Sequence, residues 1–233
     1  MTASVKLKRA RSKSNQYTMY QFLTSEHEVM HFDAEWKDLI GEPAFSGTWI
    51  IWGQSGSGKT RFTIRLANYL MKFGTVLYNS LEEGNARSLQ RAFAAEGFTP
   101  ETKGIVVMDR VPISELSERL SKRKSPRIVI IDSLQYTRMS YNDYIALKEK
   151  HLDKLFIYIS HAKGKEPRGA TAESVRYDAD VKIHVEGYRA FAVSRHGGGI
   201  PYTIWQERAD KYWNDITEAN HETEIEEKHE NEE

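Results

Sequence analysis

The sequence contains no cysteine among its 233 residues. A disulfide framework and a thiolate metal site are therefore excluded, and a reducing, cytoplasmic environment is expected. No run of eighteen apolar residues occurs either, so the sequence offers no transmembrane helix. The first twenty residues carry cations with no apolar core behind them, and we expect no secretory signal there. These absences predict a soluble globular protein.

The sequence also lacks net charge, because 33 basic and 33 acidic residues cancel. The two signs are separated along the chain: residues 1–20 hold five cations and no acid, whereas residues 214–233 hold nine acids and one lysine. We predict a flexible basic arm over 1–20, a single domain over 21–213 and a disordered acidic tail over 214–233. The arm suits contact with nucleic acid or an acidic partner, and it is equally typical of a solvated terminus.

Between these ends, short β-branched segments alternate with amphipathic segments, the pattern of a parallel sheet covered by helices. The segments at 127–131 and 155–159 are almost wholly apolar, as expected of central strands. After residue 178 the apolar segments are separated by short turns, which predicts antiparallel strands at one edge. The predicted fold class is α/β, with a mostly parallel central sheet flanked by helices. Strands are predicted over 48–52, 75–80, 105–108, 127–131, 155–159, 181–185, 188–193 and 202–206, and helices over 59–73, 85–96 and 113–120.

A glycine-rich segment lies between the first predicted strand and the first predicted helix. Backbone N–H groups at the start of that helix would point at a phosphate, where the helix dipole also favours an anion. Lys59 would bridge the β- and γ-phosphates, and the Thr60 hydroxyl would be a ligand of Mg²⁺. The segment predicts a site for ATP and Mg²⁺. It is a complete G-x-x-x-x-G-K-[ST] phosphate loop and reads Gly53-Gln54-Ser55-Gly56-Ser57-Gly58-Lys59-Thr60.

Acidic residues follow two of the other predicted strands. Asp132 ends the strand at 127–131 and is the candidate to hold the water shell of the Mg²⁺ ion. Glu82 follows the strand at 75–80 and is the candidate base for hydrolysis, with Glu83 as the competing assignment. Carboxyl ends of neighbouring parallel strands share one crevice, so these acids can face the same phosphate. The alternatives are an aspartate that caps a turn and glutamates that decorate a helix N-terminus.

Four segments of this sequence resemble the RecA-like ATPases, the family of recombinases and of the motor domains of hexameric replicative helicases. The resemblance implies a catalytic role for Glu82 and a γ-phosphate sensor at His161, which could otherwise be a plain surface histidine. It also implies action on DNA in recombination, replication or repair, and a homo-oligomer in the form of a ring or filament. The segments are 53–60, Ser80-Leu81-Glu82, Ile130-Ile131-Asp132-Ser133-Leu134-Gln135, and Tyr158-Ile159-Ser160-His161 with Pro167-Arg168-Gly169.

The family also ends a late strand with a lysine-x-arginine pair that reaches the nucleotide of the neighbouring subunit. Here that segment reads Val193-Ser194-Arg195, so Arg195 matches the arginine and Val193 replaces the lysine. The resemblance implies that Arg195 stabilises charge on the transferred phosphoryl group in trans. With the lysine absent, either Arg195 acts alone or hydrolysis is weak, and the alternative is a surface arginine in a hairpin.

Two loops line the central nucleic-acid channel in ring-forming relatives, and their counterparts here are about 137–145 and 162–177. The first offers Arg138 with two tyrosines, Tyr141 and Tyr144, which could stack on bases or form the apolar face of a helix. The second offers cations for phosphate contacts, namely Lys163, Lys165, Arg168 and Arg176.

Two other functions stay open. Only 52 residues precede the phosphate loop, so we expect a bare ATPase core more than a self-sufficient unwinding motor. A regulatory or assembly switch that binds ATP and acts on a protein partner, in the manner of a helicase loader, is the main alternative to a DNA-directed ATPase. A small-molecule kinase is a third, because phosphate loops by themselves do not distinguish phosphoryl acceptors.

Overall fold

The computed structural model describes residues 16–230, with side chains described through residue 218. Of the predicted basic arm, residues 1–15 lie outside the described residues. The strands are β1 (Gly47–Gly53), β2 (Val76–Ser80), β3 (Ile105–Asp109), β4 (Ile128–Asp132), β5 (Leu155–Lys163), β6 (Glu166–Pro167), β7 (Val181–Glu186), β8 (Arg189–Ser194) and β9 (Tyr202–Thr203). The helices are α1 (Met19–Leu23), α2 (Ala34–Ile40), α3 (Lys59–Leu70), α4 (Arg87–Ala95), α5 (Ile113–Leu120), α6 (Leu134–Thr137), α7 (Tyr141–Lys150), α8 (Ala170–Asp178) and α9 (Gln206–Glu230).

The nine strands form one sheet with the order β3-β2-β4-β5-β1-β7-β8-β9, and β6 pairs with the end of β5. The pairs from β3 to β7 are all parallel. β8 and β9 then run antiparallel to their neighbours at one edge. The predicted fold class is therefore confirmed, and the apolar strands β4 and β5 are central as expected. β7 itself joins β1 in parallel because α8 precedes it and supplies the crossover.

Both faces of the sheet are covered by helices. In β1, Trp49 and Ile51 face a cluster that includes residues of α2, α3 and α4. Ile50 and Trp52 face the opposite cluster, which includes residues of α5, α6, α7 and α8. Because successive side chains of a strand point to opposite faces, a strand buried on both sides has a continuous apolar sequence.

In the segment 137–145, expected as a loop, α7 begins at Tyr141. Three further segments differ from the sequence predictions. The segment 162–177, expected as a loop, contains the end of β5, the short strand β6 and most of α8. Gly164, with φ of 63°, closes the β5–β6 hairpin, and the polar residues of this hairpin gave no apolar alternation to predict a strand. The last predicted strand stops at residue 203, and α9 begins at Gln206.

The third difference concerns the acidic segment at 214–233. We expected disorder, whereas the backbone of 214–230 continues α9, and residues 231–233 lie outside the described residues. Glutamate, lysine and alanine are good helix formers, which gives this segment a local preference for helix. In the part of the chain that the structure describes, no helix is both long and apolar enough to cross a membrane.

The parallel strands end side by side at one edge of the sheet. Register pairs Ser80 at the end of β2 with Asp132 at the end of β4. It also pairs Gly53 at the end of β1 with His161 in β5. The topology therefore brings the phosphate loop and the acids predicted for it to one crevice, as expected of an open α/β sheet.

Candidate functional site

The phosphate loop connects β1 to α3, and its glycines are required by its shape. Gly56 and Gly58 have φ of 76° and 101°, a region that favours glycine. Gly53 approaches β7 so closely that a Cβ there would lie 2.1 Å from the carbonyl oxygen of Val185. α3 begins at Lys59, so its first backbone N–H groups are free of helical partners and face the loop.

A cavity of about 840 Å³ opens over the loop. The loop residues and the start of α3 form its floor. The acids that follow β2 and end β4, with the histidine of β5, form one wall. Every predicted catalytic and metal-binding residue except Arg195 lines this cavity. These residues are Lys59, Thr60, Glu82, Glu83, Asp132 and His161.

The loop fits a bound phosphate chain. The Ser57 hydroxyl is buried and has no hydrogen-bond partner among the described residues. Lys59 Nζ donates to the Gln54 carbonyl oxygen at 2.7 Å, which is a partner inside its own loop. Burial lowers the pKa of Lys59, while the charges of Asp132 and Glu82 act in the opposite direction. A desolvated cation and open backbone donors are the groups that an anionic ligand requires.

Asp132 is a buried carboxylate at the end of β4. Burial raises its pKa to about 6, and the charges of Glu82 and Glu83 act in the same direction. The Tyr78 hydroxyl donates to Asp132 Oδ2 and opposes the effect of burial, as does the charge of Lys59. A carboxylate of this kind lacks a full set of partners, and a cation such as Mg²⁺ would compensate its desolvation.

Glu82 and Glu83 have different partners. Glu82 Oε2 accepts a hydrogen bond from the Ser133 hydroxyl at 3.0 Å and lies 2.9 Å from His161 Nε2. Glu83 instead accepts a hydrogen bond from the Ser88 hydroxyl at the start of α4. The structure thus brings Glu82, and not Glu83, into contact with the residues that follow β4 and end β5.

One side chain for which the sequence predicts no role connects the residues around Glu82 to the β5–β6 hairpin. Gln135 Nε2 donates to the Ser160 hydroxyl at 2.9 Å and to the Arg168 carbonyl oxygen at 2.8 Å. Its Oε1 accepts from the His161 backbone N–H at 3.2 Å. The Arg168 N–H in turn donates to the His161 carbonyl oxygen at 2.8 Å. Gln135 therefore fixes the hairpin to the end of β5 beside the catalytic candidates.

Three further residues stabilise the site, and the sequence gives little indication of their roles. Tyr78 is a buried strand residue, and nothing in its local sequence marks it as a partner of Asp132. Arg110 donates to the carbonyl oxygens of Glu82 and Glu83 at 3.3 and 2.6 Å and so holds the turn that carries them. Ser133 directly follows Asp132, in a segment that resembles the RecA-like ATPases. This adjacency is the sequence feature that could have indicated its role.

Arg195 lies away from this cavity. It follows β8, whose end pairs with the beginning of β7, so it lies at the amino ends of the parallel strands. Its guanidinium group forms an ion pair with Asp180 at 3.3 Å, and 65% of the side chain is exposed. Arg195 therefore does not lie near the phosphate loop of its own chain. Any contact with a nucleotide would be with one bound to a neighbouring subunit.

Among the residues whose side chains the structure describes, some nucleic-acid candidates form no ion pair and others are engaged within the fold. Lys163 and Lys165 are exposed on the β5–β6 hairpin, and Arg168 follows it at the rim of the cavity. Arg176 forms an ion pair with Glu166 at 2.8 Å and lies over the Trp52 ring, so it is occupied within the fold.

In the first candidate loop, Arg138 ends α6 with a left-handed backbone, φ 55°. Tyr144 is fully buried and donates its hydroxyl to Asp178, which favours the interpretation as a core residue. Tyr141 is 44% exposed.

Comparison with solved structures identifies a protein of the same architecture. The chain is similar to the flagellar accessory protein FlaH from Methanocaldococcus jannaschii, with a TM-score of 0.57 and 16% sequence identity over 77% of this chain and 96% of that one. No protein-family model matches the sequence, and no curated protein matches it. At this identity the similarity establishes the fold alone. Together with the sheet order and the phosphate loop, it identifies the chain as a protein of the RecA-like fold.

Proposed function

We propose that this chain is a Mg²⁺-dependent ATPase. The observation that carries the proposal is the convergence of Lys59, Asp132 and Glu82 on one cavity above the phosphate loop. The loop N–H groups and Lys59 hold the phosphates, and Thr60 and Asp132 would hold the metal ion. Bound Mg²⁺ supplies charge neutralisation on the β- and γ-phosphates.

In the proposed mechanism Glu82 orients the attacking water and accepts its proton. A carboxylate that follows β2 at the same edge of the sheet can reach a water placed between it and the γ-phosphate. His161 and Ser133 contact the same Glu82 oxygen, so they determine its orientation. In this proposal His161 responds to the γ-phosphate and transmits its state through Gln135 to the hairpin, with support from the hydrogen bond between His161 and Gln135.

The target that we propose for this ATPase is DNA. Support comes from Lys163 and Lys165 on the exposed β5–β6 hairpin and from Arg168, which follows the hairpin and donates its backbone N–H to His161. Cations of this kind neutralise backbone phosphates without regard to base sequence.

A regulatory switch acting on a protein partner is the second candidate. Two observations favour it: Glu82 Oε2 is already engaged by His161 and Ser133, and Arg195 is paired with Asp180. Both arrangements suit slow hydrolysis. The similar protein FlaH is itself described as an accessory protein.

The first experiment measures ATP turnover with Mg²⁺, with and without single-stranded DNA. Lys59→Ala serves as the blank, because it removes the cation of the phosphate loop. We expect turnover in the native protein, stimulation by DNA and a loss to background in Lys59→Ala. Turnover without any DNA response would favour the protein-directed switch. Equal turnover in native protein and Lys59→Ala would contradict the proposed ATPase.

A further inference from the structure

One buried tyrosine determines which oxygen of Asp132 remains available to a ligand. Tyr78 lies in the middle of β2 and is fully buried. Its hydroxyl donates to Asp132 Oδ2. A tyrosine hydroxyl keeps its proton at neutral pH, so this contact occupies one of the two carboxylate oxygens. Among the described residues, none donates a hydrogen bond to the other oxygen, Oδ1.

The sheet and a helix fix the position of this hydroxyl. Register pairs Tyr78 with Ile130 and Ser80 with Asp132, so Tyr78 and Asp132 are diagonal neighbours on adjacent strands. Alternate residues of a strand share a face, and Tyr78 and Ile130 belong to the same buried cluster. The Tyr78 ring also meets Phe93 of α4 edge to face at 5.4 Å. Core packing therefore holds the hydroxyl against the carboxylate.

The carboxylate that Tyr78 holds belongs to the nucleotide cavity. Asp132 lines this cavity together with Lys59 and Thr60. Its main chain is fixed as well, because its carbonyl oxygen accepts the Glu82 N–H at 3.1 Å. With the backbone fixed and Oδ2 engaged by Tyr78, Asp132 has a single oxygen left for a cation or for the water shell of a cation.

The two common divalent cations differ in what they require of a carboxylate. Mg²⁺ demands near-ideal octahedral geometry, keeps several of its waters and is bound through few carboxylate contacts together with substrate phosphates. Ca²⁺ is larger and takes more oxygen ligands, and carboxylates commonly bind it through both oxygens. A carboxylate with one oxygen already occupied therefore suits Mg²⁺ and is a poorer ligand for Ca²⁺.

We propose that Tyr78 is a positioning residue that makes the site select Mg²⁺ over Ca²⁺, because it withholds Asp132 Oδ2 from the ion. The inference rests on the proposed nucleotide site, in which Asp132 would help to hold the metal ion, and it adds a residue that determines which ion is preferred. Hydrogen-bond partners of metal ligands contribute about 10- to 100-fold to metal affinity.

The test measures metal preference by calorimetry. The dissociation constant of ADP is determined with saturating Mg²⁺, with saturating Ca²⁺, and with a chelator and no divalent ion. The ratio of the Ca²⁺ constant to the Mg²⁺ constant is the metal preference. The affinity of ADP itself for each ion is common to all variants and cancels in their comparison. Thermal unfolding shows that each variant is folded.

Two variants remove the hydroxyl and one serves as the matched control. Tyr78→Phe keeps the ring, and Tyr78→Met fills the space with a flexible apolar side chain if the first variant does not fold. Tyr158→Phe is the control, since Tyr158 is also fully buried and its hydroxyl has no hydrogen-bond partner among the described residues. Both Tyr78 variants are also made together with Asp132→Asn.

We expect native protein to bind ADP more tightly with Mg²⁺ than with Ca²⁺. Tyr78→Phe and Tyr78→Met should reduce that preference about tenfold, at the lower end of the range for partners of metal ligands. ADP binding without a divalent ion should stay near its native value, and Tyr158→Phe should keep the native preference. In proteins that carry Asp132→Asn, loss of the Tyr78 hydroxyl should change nothing further, because the carboxylate through which it acts is gone.

Three results would overturn the inference. An unchanged metal preference in the Tyr78 variants would mean that the hydroxyl only satisfies a buried carboxylate. Equal losses of affinity with both ions would mean that it orients Asp132 without selecting an ion. An undiminished effect of Tyr78→Phe in proteins that carry Asp132→Asn would place its action elsewhere. Native protein that binds no ADP under any condition, or Lys59→Ala that binds it normally, would contradict the nucleotide site itself and the inference with it.

Discussion

At the scale of single residues, the proposed activation of water depends on one carboxylate group, that of Glu82. Glu82 Oε2 is shared by His161 and Ser133, and the backbone N–H of Glu82 donates to the Asp132 carbonyl oxygen at 3.1 Å. These contacts hold the side chain at the ends of two neighbouring strands. Glu83, one position later, points to Ser88 and provides a natural comparison.

We predict that Glu82→Gln retains ATP binding and loses about 10²- to 10⁴-fold in turnover, the usual contribution of a positioned acid–base group. Gln keeps the shape and hydrogen-bonding capacity of the side chain and removes its basicity. Binding by calorimetry and turnover by phosphate release would separate the two effects. Glu83→Gln is the matched control and should stay near native turnover. A large loss in Glu83→Gln alone would transfer the role to that residue.

At the scale of elements, the β5–β6 hairpin joins the nucleotide cavity to an exposed basic surface. His161 lies near the end of β5, and Gln135 forms hydrogen bonds with Ser160, His161 and Arg168 next to that end. His161 therefore belongs both to the contacts that position the hairpin and to those of Glu82. A ligand on the hairpin and a nucleotide in the cavity would act on shared hydrogen bonds.

We predict that the double variant Lys163→Ala/Lys165→Ala weakens binding to single-stranded DNA and lowers the slope of log affinity against log salt by about 1.4. That value follows from two phosphate contacts on a single strand. Titrations at several salt concentrations measure it. The double variant Lys122→Ala/Arg123→Ala, with both side chains exposed between α5 and β4, is the control. An unchanged slope in the hairpin variant would exclude this surface as the DNA site.

At the scale of the whole molecule, the sheet separates Arg195 from the phosphate loop of its own chain. The arginine lies at the amino ends of the parallel strands and the loop at their carboxyl ends. Arg195 can therefore serve a nucleotide only in an assembly of subunits, as proposed from the sequence. Its ion pair with Asp180 would have to open when a neighbour binds.

We predict that Arg195→Ala loses at least about 10³-fold in turnover, the range of a trans-acting arginine. Mixing it with inactive Lys59→Ala should restore activity, since about one site in four of a random equal mixture combines an intact loop with an intact neighbouring arginine. Arg119→Ala, which removes an exposed arginine paired with Glu115, is the control. Co-assembly of the two variants without any recovery would contradict the trans role.

Much of the fold could be predicted because it depends on local patterns. The apolar runs of β4 and β5 indicate central strands, and the turn residues after 178 indicate an antiparallel edge. The hairpin at 163–166 and helix α8 were missed because their residues are polar, and their stability comes from contacts with β5 and the sheet. The acidic segment was expected to be disordered from its charge, whereas its backbone through residue 230 continues α9.

The sequence by itself determined the phosphate loop, because eight consecutive residues contain the glycines, the lysine and the threonine that the chemistry requires. It also narrowed the candidates for the acidic residues of the site: Asp132 for the metal ion, and Glu82 or Glu83 for the base. Only the tertiary structure decided which glutamate meets His161, which glutamine joins the hairpin to the site, and that Tyr188 contacts the loop. These contacts join residues 25 to 131 positions apart. The order and register of the strands bring them together, and no local pattern encodes that order.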